Sequence, residues 1–183
     1  MPTVLVILPE GFEELEAVAP IDVLRRAGCS VRLAALGATR RVTGRNHLVL
    51  EADALLSDSP APDVAPLQDC LLLPGGPGVT LLRASVAVRT LVTRHHAAGK
   101  LLAAICAAPA VLSDAGLLQG RRYTAHPSVA GELTAILATE RVVLDGQLLT
   151  SRGAGTALDF GLALVSALVS PEKSAEIAAA IRA

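Results

Sequence analysis

The sequence predicts one α/β domain, residues 1–183, built on a mostly parallel central sheet with helices on both faces, and three observations carry that expectation. Short continuous apolar runs such as Val4–Leu8 alternate with longer stretches of helical spacing. Glycines end the helical stretches, Gly28 after one and Gly99 after another, where a C-terminal cap is wanted. Apolar residues make up 52% of the chain but aromatics only 2%, so small aliphatic side chains must build the core, which suits close helix-on-sheet packing.

Taken in order, Val4–Leu8 reads as a first strand buried on both faces. Glu13–Ala27 has helical spacing, with Pro20 inside it predicting a kink or break. Ser30–Leu36 is a second strand, and Thr39 to Leu56 reads as short edge strands around a turn at Thr43-Gly44-Arg45-Asn46. Ser57–Pro66, rich in proline, serine and aspartate, is a surface loop. Cys70–Leu73 is a strand ending at Pro74-Gly75-Gly76, Val86–Ala98 an amphipathic helix, Leu101–Ile105 a strand and Ala107–Leu117 a helix. Short strands follow near Tyr123-Thr124, Arg141–Leu144 and Leu148–Ser151, with helices over Val129–Leu137, Thr156–Leu168 and Pro171–Ile181.

Several function classes drop out. The net charge is −1, and the basic pairs Arg25-Arg26, Arg40-Arg41 and Arg121-Arg122 are too small and scattered for a polyanion footprint, so nucleic acid is not the expected partner. No run approaches the ~18 apolar residues of a membrane span. The first residues lack a basic leader and a cleavage site, which predicts a cytoplasmic protein. There Cys29, Cys70 and Cys106, odd in number and far apart, should be free thiols. His95 and His96, at the exposed end of a helix, have no third ligand at zinc spacing, so no metal is expected.

Ligands of open α/β sheets bind beyond the carboxyl ends of the strands, which is where the reactive residues cluster. Cys106 follows the buried run Leu101–Ile105 and precedes small residues, the setting of a nucleophile elbow. Backbone N–H groups and a helix end beneath it should lower its pKa from about 8.5. Cys29 and Cys70, at or inside strands, read as small buried hydrophobes. Pro74-Gly75-Gly76 lacks phosphate-loop spacing but could aim the Gly75 N–H, with that of Ala107, at a developing oxyanion. One carboxyl among Glu13, Glu14 and Glu16, tucked against the thiol, would be held protonated and could donate or pass a proton, while the other two would face solvent. His126, before Pro127, is a plausible base or orienting partner.

Five segments in order, Glu13-Glu14-Leu15-Glu16, Pro74-Gly75-Gly76, Ala103-Ala104-Ile105-Cys106-Ala107-Ala108-Pro109, Ala125-His126-Pro127 and Thr150-Ser151-Arg152-Gly153, resemble the ThiJ/PfpI superfamily nearly end to end. The resemblance is to its small branch containing the parkinsonism-associated protein deglycase. It implies a flavodoxin-like three-layer sandwich akin to the class I glutamine amidotransferases, a homodimer, and no metal or organic cofactor. It implies Cys106 as reactive cysteine, Glu16 as its protonated glutamate, His126 as histidine partner, and Gly75 and Ala107 as oxyanion amides. The implied substrate is a small carbonyl compound: glutathione-independent conversion of methylglyoxal to lactate, or removal of early glycation adducts. Cys106 would attack the aldehyde carbon, with Glu16 and His126 moving protons through an enediol-like intermediate. The alternatives are a redox-responsive stress protein or chaperone, and a thiol-dependent hydrolase. Ala107, where the protease-like branch has histidine, counts against peptidase activity, and Ser128 stands where amidotransferase relatives place an acid. Arg45, Asn46 and His47 are all open as substrate-binding residues.

Overall fold

The computed structural model describes all 183 residues. Its strands are β1 (Thr3–Leu8), β2 (Ser30–Ala35), β3 (Arg41–Thr43), β4 (Val49–Glu51), β5 (Ala54–Leu55), β6 (Cys70–Leu73), β7 (Leu101–Ile105), β8 (Val142–Asp145) and β9 (Leu148–Ser151). Its α-helices are α1 (Glu14–Arg26), α2 (Val79–Ala84), α3 (Val86–Ala97), α4 (Pro109–Asp114), α5 (Ala157–Leu168) and α6 (Pro171–Ile181). Seven strands form one sheet in the order β5-β2-β1-β6-β7-β9-β8. All neighbours pair parallel except β8, which returns antiparallel beside β9. The hairpin β3-β4 stands apart from it.

Each face of the sheet carries its own core. Val4, Val6 and Leu8 of β1 pack with α1, α5 and α6 through Leu24, Phe160 and Ile177. Leu5 and Ile7, pointing the other way, pack with α2, α3 and α4 through Leu82, Leu91 and Leu112. Alternate residues of a strand face opposite sides, so a strand covered twice must be apolar throughout, as Val4–Leu8 is. This is the flavodoxin-like three-layer arrangement expected from the alternation of patterns.

Five local expectations are corrected. Helix α1 runs unbroken through Pro20, whose ring packs against α5 where Gly161 leaves room: a Cβ there would come within 2.9 Å of the Pro20 Cα. Val129–Leu137 is not helical. After one 3-10 turn at Pro127–Val129 it runs back past Tyr123, whose carbonyl accepts from Leu137 N–H and whose hydroxyl accepts from Ala135 N–H. Tertiary pairing, with Gly131 in the segment, outcompetes a weak helical pattern, and Tyr123 forms one isolated bridge to Ile136 where a short strand was expected. The helix expected over Ala107–Leu117 is confined to Pro109–Asp114, because Ala107 and Ala108 are used in the turn. His95 is sealed in the core, Nδ1 bonded to the Leu91 carbonyl at 2.7 Å, and does not lie on an exposed helix end.

Strands β1, β6 and β7 are adjacent, and their carboxyl ends at Leu8, Leu73 and Ile105 open on one crevice.

Candidate active site

Cys106 leaves β7 in a left-handed backbone conformation, φ 65°, which a side-chain-bearing residue adopts only under constraint. Three backbone hydrogen bonds impose it. Cys106 N–H donates to the Ser151 carbonyl at 2.8 Å, His126 N–H donates to the Cys106 carbonyl at 2.8 Å, and Ala108 N–H closes the turn on Ile105 at 3.0 Å. The thiol is thereby thrown over the strand end, half-buried, while Cys29 and Cys70 are buried near the other end of the sheet. None of the three is in a disulfide.

All three acidic residues at the start of α1 are buried, and none faces solvent. Glu13 is the N-cap, its carboxylate accepting from Glu16 N–H at 2.9 Å. Glu14 holds the tip of the β3-β4 hairpin, accepting from Asn46 N–H at 2.7 Å and the Asn46 amide at 2.9 Å. Glu16 turns into the crevice, 1% exposed, and reaches both the Cys106 sulfur and the Gly75 N–H, the latter at 2.9 Å. Geometry thus selects Glu16 from the three.

Gly75 is glycine because nothing else fits. A Cβ there would fall 2.6 Å from the Cys106 Cβ and closer still to Glu16 Oε2. Gly76 follows in left-handed conformation, φ 93°, hard against the Gly11–Glu13 backbone. The Gly75 N–H is committed to Glu16, so the amides facing sulfur are those of Gly76 and Ala107. The Gly75 N–H, expected beside that of Ala107, is thus turned toward the carboxyl, and the Gly76 N–H stands with that of Ala107 at the sulfur.

The direction of the thiol's pKa is also corrected. Burial pushes Cys106 up to about 12; the Glu16 charge and its hydrogen bond to sulfur add to the rise, and the Ala107 and Gly76 N–H groups oppose it. Burial likewise lifts the Glu16 carboxyl to about 7, against its bond to Cys106. Nearby Glu13 adds to that lift, while the Gly75 N–H and the positive charge of Arg45 work against it. Helix α4 is six residues long and begins at Pro109, so the amide that opposes the thiol's rise from this side is that of Ala107, in the turn before it. Each group is among the causes of the other's shift, so the two titrate as a coupled pair.

His126 is exposed, tied to Cys106 through its backbone. Its Nδ1 accepts from Ser128 N–H at 3.1 Å and lies 2.9 Å from the Ser128 hydroxyl, so in the neutral ring the proton is on Nε2. Ser128 therefore orients the ring from the place where an acid would stand in amidotransferase relatives. Of the hairpin-tip residues, Asn46 serves Glu14, His47 occupies a left-handed turn position at φ 69°, and Arg45 is the one whose charge Glu16 feels. No group of three or more His, Cys, Asp or Glu is placed to hold a metal ion.

The sulfur on a strained elbow, the carboxyl against it, the two glycines at the next strand end and the histidine bonded through its backbone to the elbow each come from one of the motifs read in the chain. Residues 2–167 match the DJ-1/PfpI family. The chain belongs to that family. DJ-1/PfpI relatives include the Parkinson disease protein 7 homolog of Danio rerio, 37% identical over 180 residues, covering 96% of this chain and 94% of that one. The glutathione-independent glyoxalase DJR-1.2 of Caenorhabditis elegans is 33% identical over 169 residues, 91% of this chain and 88% of that one. Among solved structures, oxidized Toxoplasma gondii DJ-1 superposes with a TM-score of 0.90 at 37% identity over 99% of this chain and 98% of that one. Two Arabidopsis thaliana proteins, DJ-1 homologs A and B, are longer: this chain spans 45% and 41% of them.

Sequence reasoning missed Gly76 as a sulfur-facing donor, Glu14 as the strap of the hairpin, and Ser128 as the partner of His126. Only Ser128 left a signal, two residues beyond the histidine.

Proposed function

We propose that this DJ-1/PfpI protein is a cysteine-dependent, cofactor-free enzyme that converts methylglyoxal-like α-oxoaldehydes to hydroxy acids, or acts on the chemically related early glycation adducts. The observation that carries the reading is the buried Glu16 carboxyl against Cys106, poised near neutrality. A general base works best with its pKa near the working pH. Glu16 takes the thiol proton as sulfur bonds to the aldehyde carbon, and the hemithioacetal oxyanion forms between the Gly76 and Ala107 N–H groups. The proton on that carbon then moves to the neighbouring carbonyl through an enediol, with Glu16 and His126 as carriers. The result is a hydroxy thioester, which water cleaves to hydroxy acid and free Cys106. Oxidation of one carbon balances reduction of the next, so no external oxidant is needed.

The relative named a glutathione-independent glyoxalase supports this choice of substrate. A small oxoaldehyde also suits a crevice bounded by Gly75, Gly76 and Ala107, whose side chains take little space. The family resemblance supports a homodimer in the cytoplasm; the chain itself has no helix long and apolar enough to cross a membrane. A second reading, a peroxide-responsive thiol switch, is favoured by the partial exposure of Cys106 beside two sealed cysteines.

Hydroxy-acid release from methylglyoxal decides between them. The expected outcome is steady turnover that falls by at least about 10³-fold in Cys106→Ala, the scale of losing a covalent nucleophile. Stoichiometric peroxide oxidation of Cys106 without turnover would instead establish the switch.

A further inference from the structure

A cavity of about 730 Å³, within the usual range of small-molecule sites, is lined by His126, Arg141 and Arg152. One of its lining residues, His126, is hydrogen-bonded through its backbone N–H to the Cys106 carbonyl at 2.8 Å, which sets the cavity next to the elbow. Ile105 and Ser151 are paired across β7 and β9, so the residues that follow them, Cys106 and Arg152, leave adjacent strand ends roughly 5 Å apart. The His126 ring lines the cavity beside Gly153, where an added Cβ would fall 3.5 Å from its Cδ2.

The cavity's electrostatics are one-sided. Arg141, Arg152 and His126 line it, together with apolar Leu133 and Ile136, and no Asp or Glu does. Arg141 is already neutralised by Asp159. Arg152 enters no ion pair in the molecule. One of its terminal nitrogens makes long contacts to the Ala138 and Thr139 carbonyls, at 3.4 and 3.3 Å, and the rest of its donor fork is uncommitted. A guanidinium stays charged at any physiological pH, so the cavity holds one uncompensated positive charge in a partly apolar wall.

We propose that this cavity binds the tail of the substrate, with Arg152 taking a carboxylate, so that the preferred substrate is an α-oxoaldehyde ending in a carboxyl group. The proposal rests on the oxoaldehyde reading above. One free guanidinium matches a monoanion and pairs with a carboxylate through two parallel hydrogen bonds. Leu133 and Ile136 would cover the methylenes between the two ends, and His126 stands beside the elbow, where it can act on the carbonyl pair.

The test compares dioxovalerate, an α-oxoaldehyde with a terminal carboxylate, with its methyl ester. In the wild-type protein the acid should exceed the ester in kcat/KM by roughly tenfold, equivalent to about 1.4 kcal/mol. Arg152→Met should bring that ratio to about one, and Arg152→Lys should retain part of it, because it keeps the charge and loses the fork. The ester is the internal reference in each variant, so a general loss of activity cancels. Equal rates for acid and ester in the wild type, or a preference that survives Arg152→Met, overturns the proposal. A binding arm separates it from the catalytic reading. Glutarate titrated into Cys106→Ala protein should shift the His126 ring resonances, and should not do so once Arg152→Met is added. That shift without turnover of either substrate supports the carboxylate site and removes the enzyme; no shift overturns the site whatever the turnover.

Discussion

The two ends of the central strands treat the same pair of functional groups in opposite ways. At the amino end, Asp69 accepts from Thr3 N–H and hydroxyl, each at 2.9 Å, and pairs with Lys100 at 2.7 Å. The bonds to Lys100 and then Thr3 hold its carboxyl down at about 2. Next to it Cys70 is sealed among aliphatic side chains, and burial drives its thiol far above the ordinary range. At the carboxyl end Glu16 has no cation within ion-pair distance and one backbone donor, and its pKa rises to about 7. Its thiol partner Cys106 is only half-buried. An acid given a cation and several donors becomes a permanent charge that anchors strands. An acid denied them stays close to its titration point, where it can trade protons. The difference lies in the neighbours and not in the residue types.

Glu16→Gln tests that comparison with the largest expected effect. Removing the base should lower kcat by about 10²- to 10⁴-fold and abolish the rise of rate through pH 7. Stability should move the other way. The Glu16 pKa is raised on folding from 4.5 to about 7, so its contribution is present below 4.5 and lost as pH climbs through 7. Chemical denaturation at pH 8 should find the Gln variant more stable than wild type, by roughly 1–3 kcal/mol. A variant less stable at that pH would break the comparison.

Gly75→Ala probes the same end through space. The added methyl must displace Glu16 or the Cys106 elbow, so thermal unfolding should show a loss of about 1–3 kcal/mol. Activity should fall as well, because the carboxyl and the sulfur are the groups pushed apart.

Asp69→Asn sharpens the other end, with the smallest effect. The folded pKa is depressed from 3.8 to about 2, so its stabilisation is complete above 3.8 and disappears as pH falls through 2. Because the side chain is 42% exposed, solvent screening limits the loss to under about 1 kcal/mol at neutral pH. Unfolding curves of variant and wild type should converge in acid, and hydroxy-acid release should be unchanged.

Much of this was legible from the chain alone where the signal was local. Leu101–Ile105, Leu148–Ser151 and Pro171–Ile181 begin and end in the structure where their apolar periodicity and flanking residues place them. Cys106 stands out because a buried strand followed by small residues leaves a side chain little choice but to project over the strand end. The helix expected over Val129–Leu137 failed because its periodicity was weak and its competitor, the backbone of Tyr123, could not be seen in a local window.

What only the tertiary structure decided is how the site is wired. Gly75 and Glu16 are 59 positions apart, and which amide faces carboxyl and which faces sulfur depends on how two strand ends and one helix are set side by side. The same is true of protonation. A pKa answers to burial and to neighbouring charges within a few ångströms, quantities that exist only after packing. Residue order determined the layers and set Cys106 at a strand end; the packed crevice determined which carboxyl and which amides surround it.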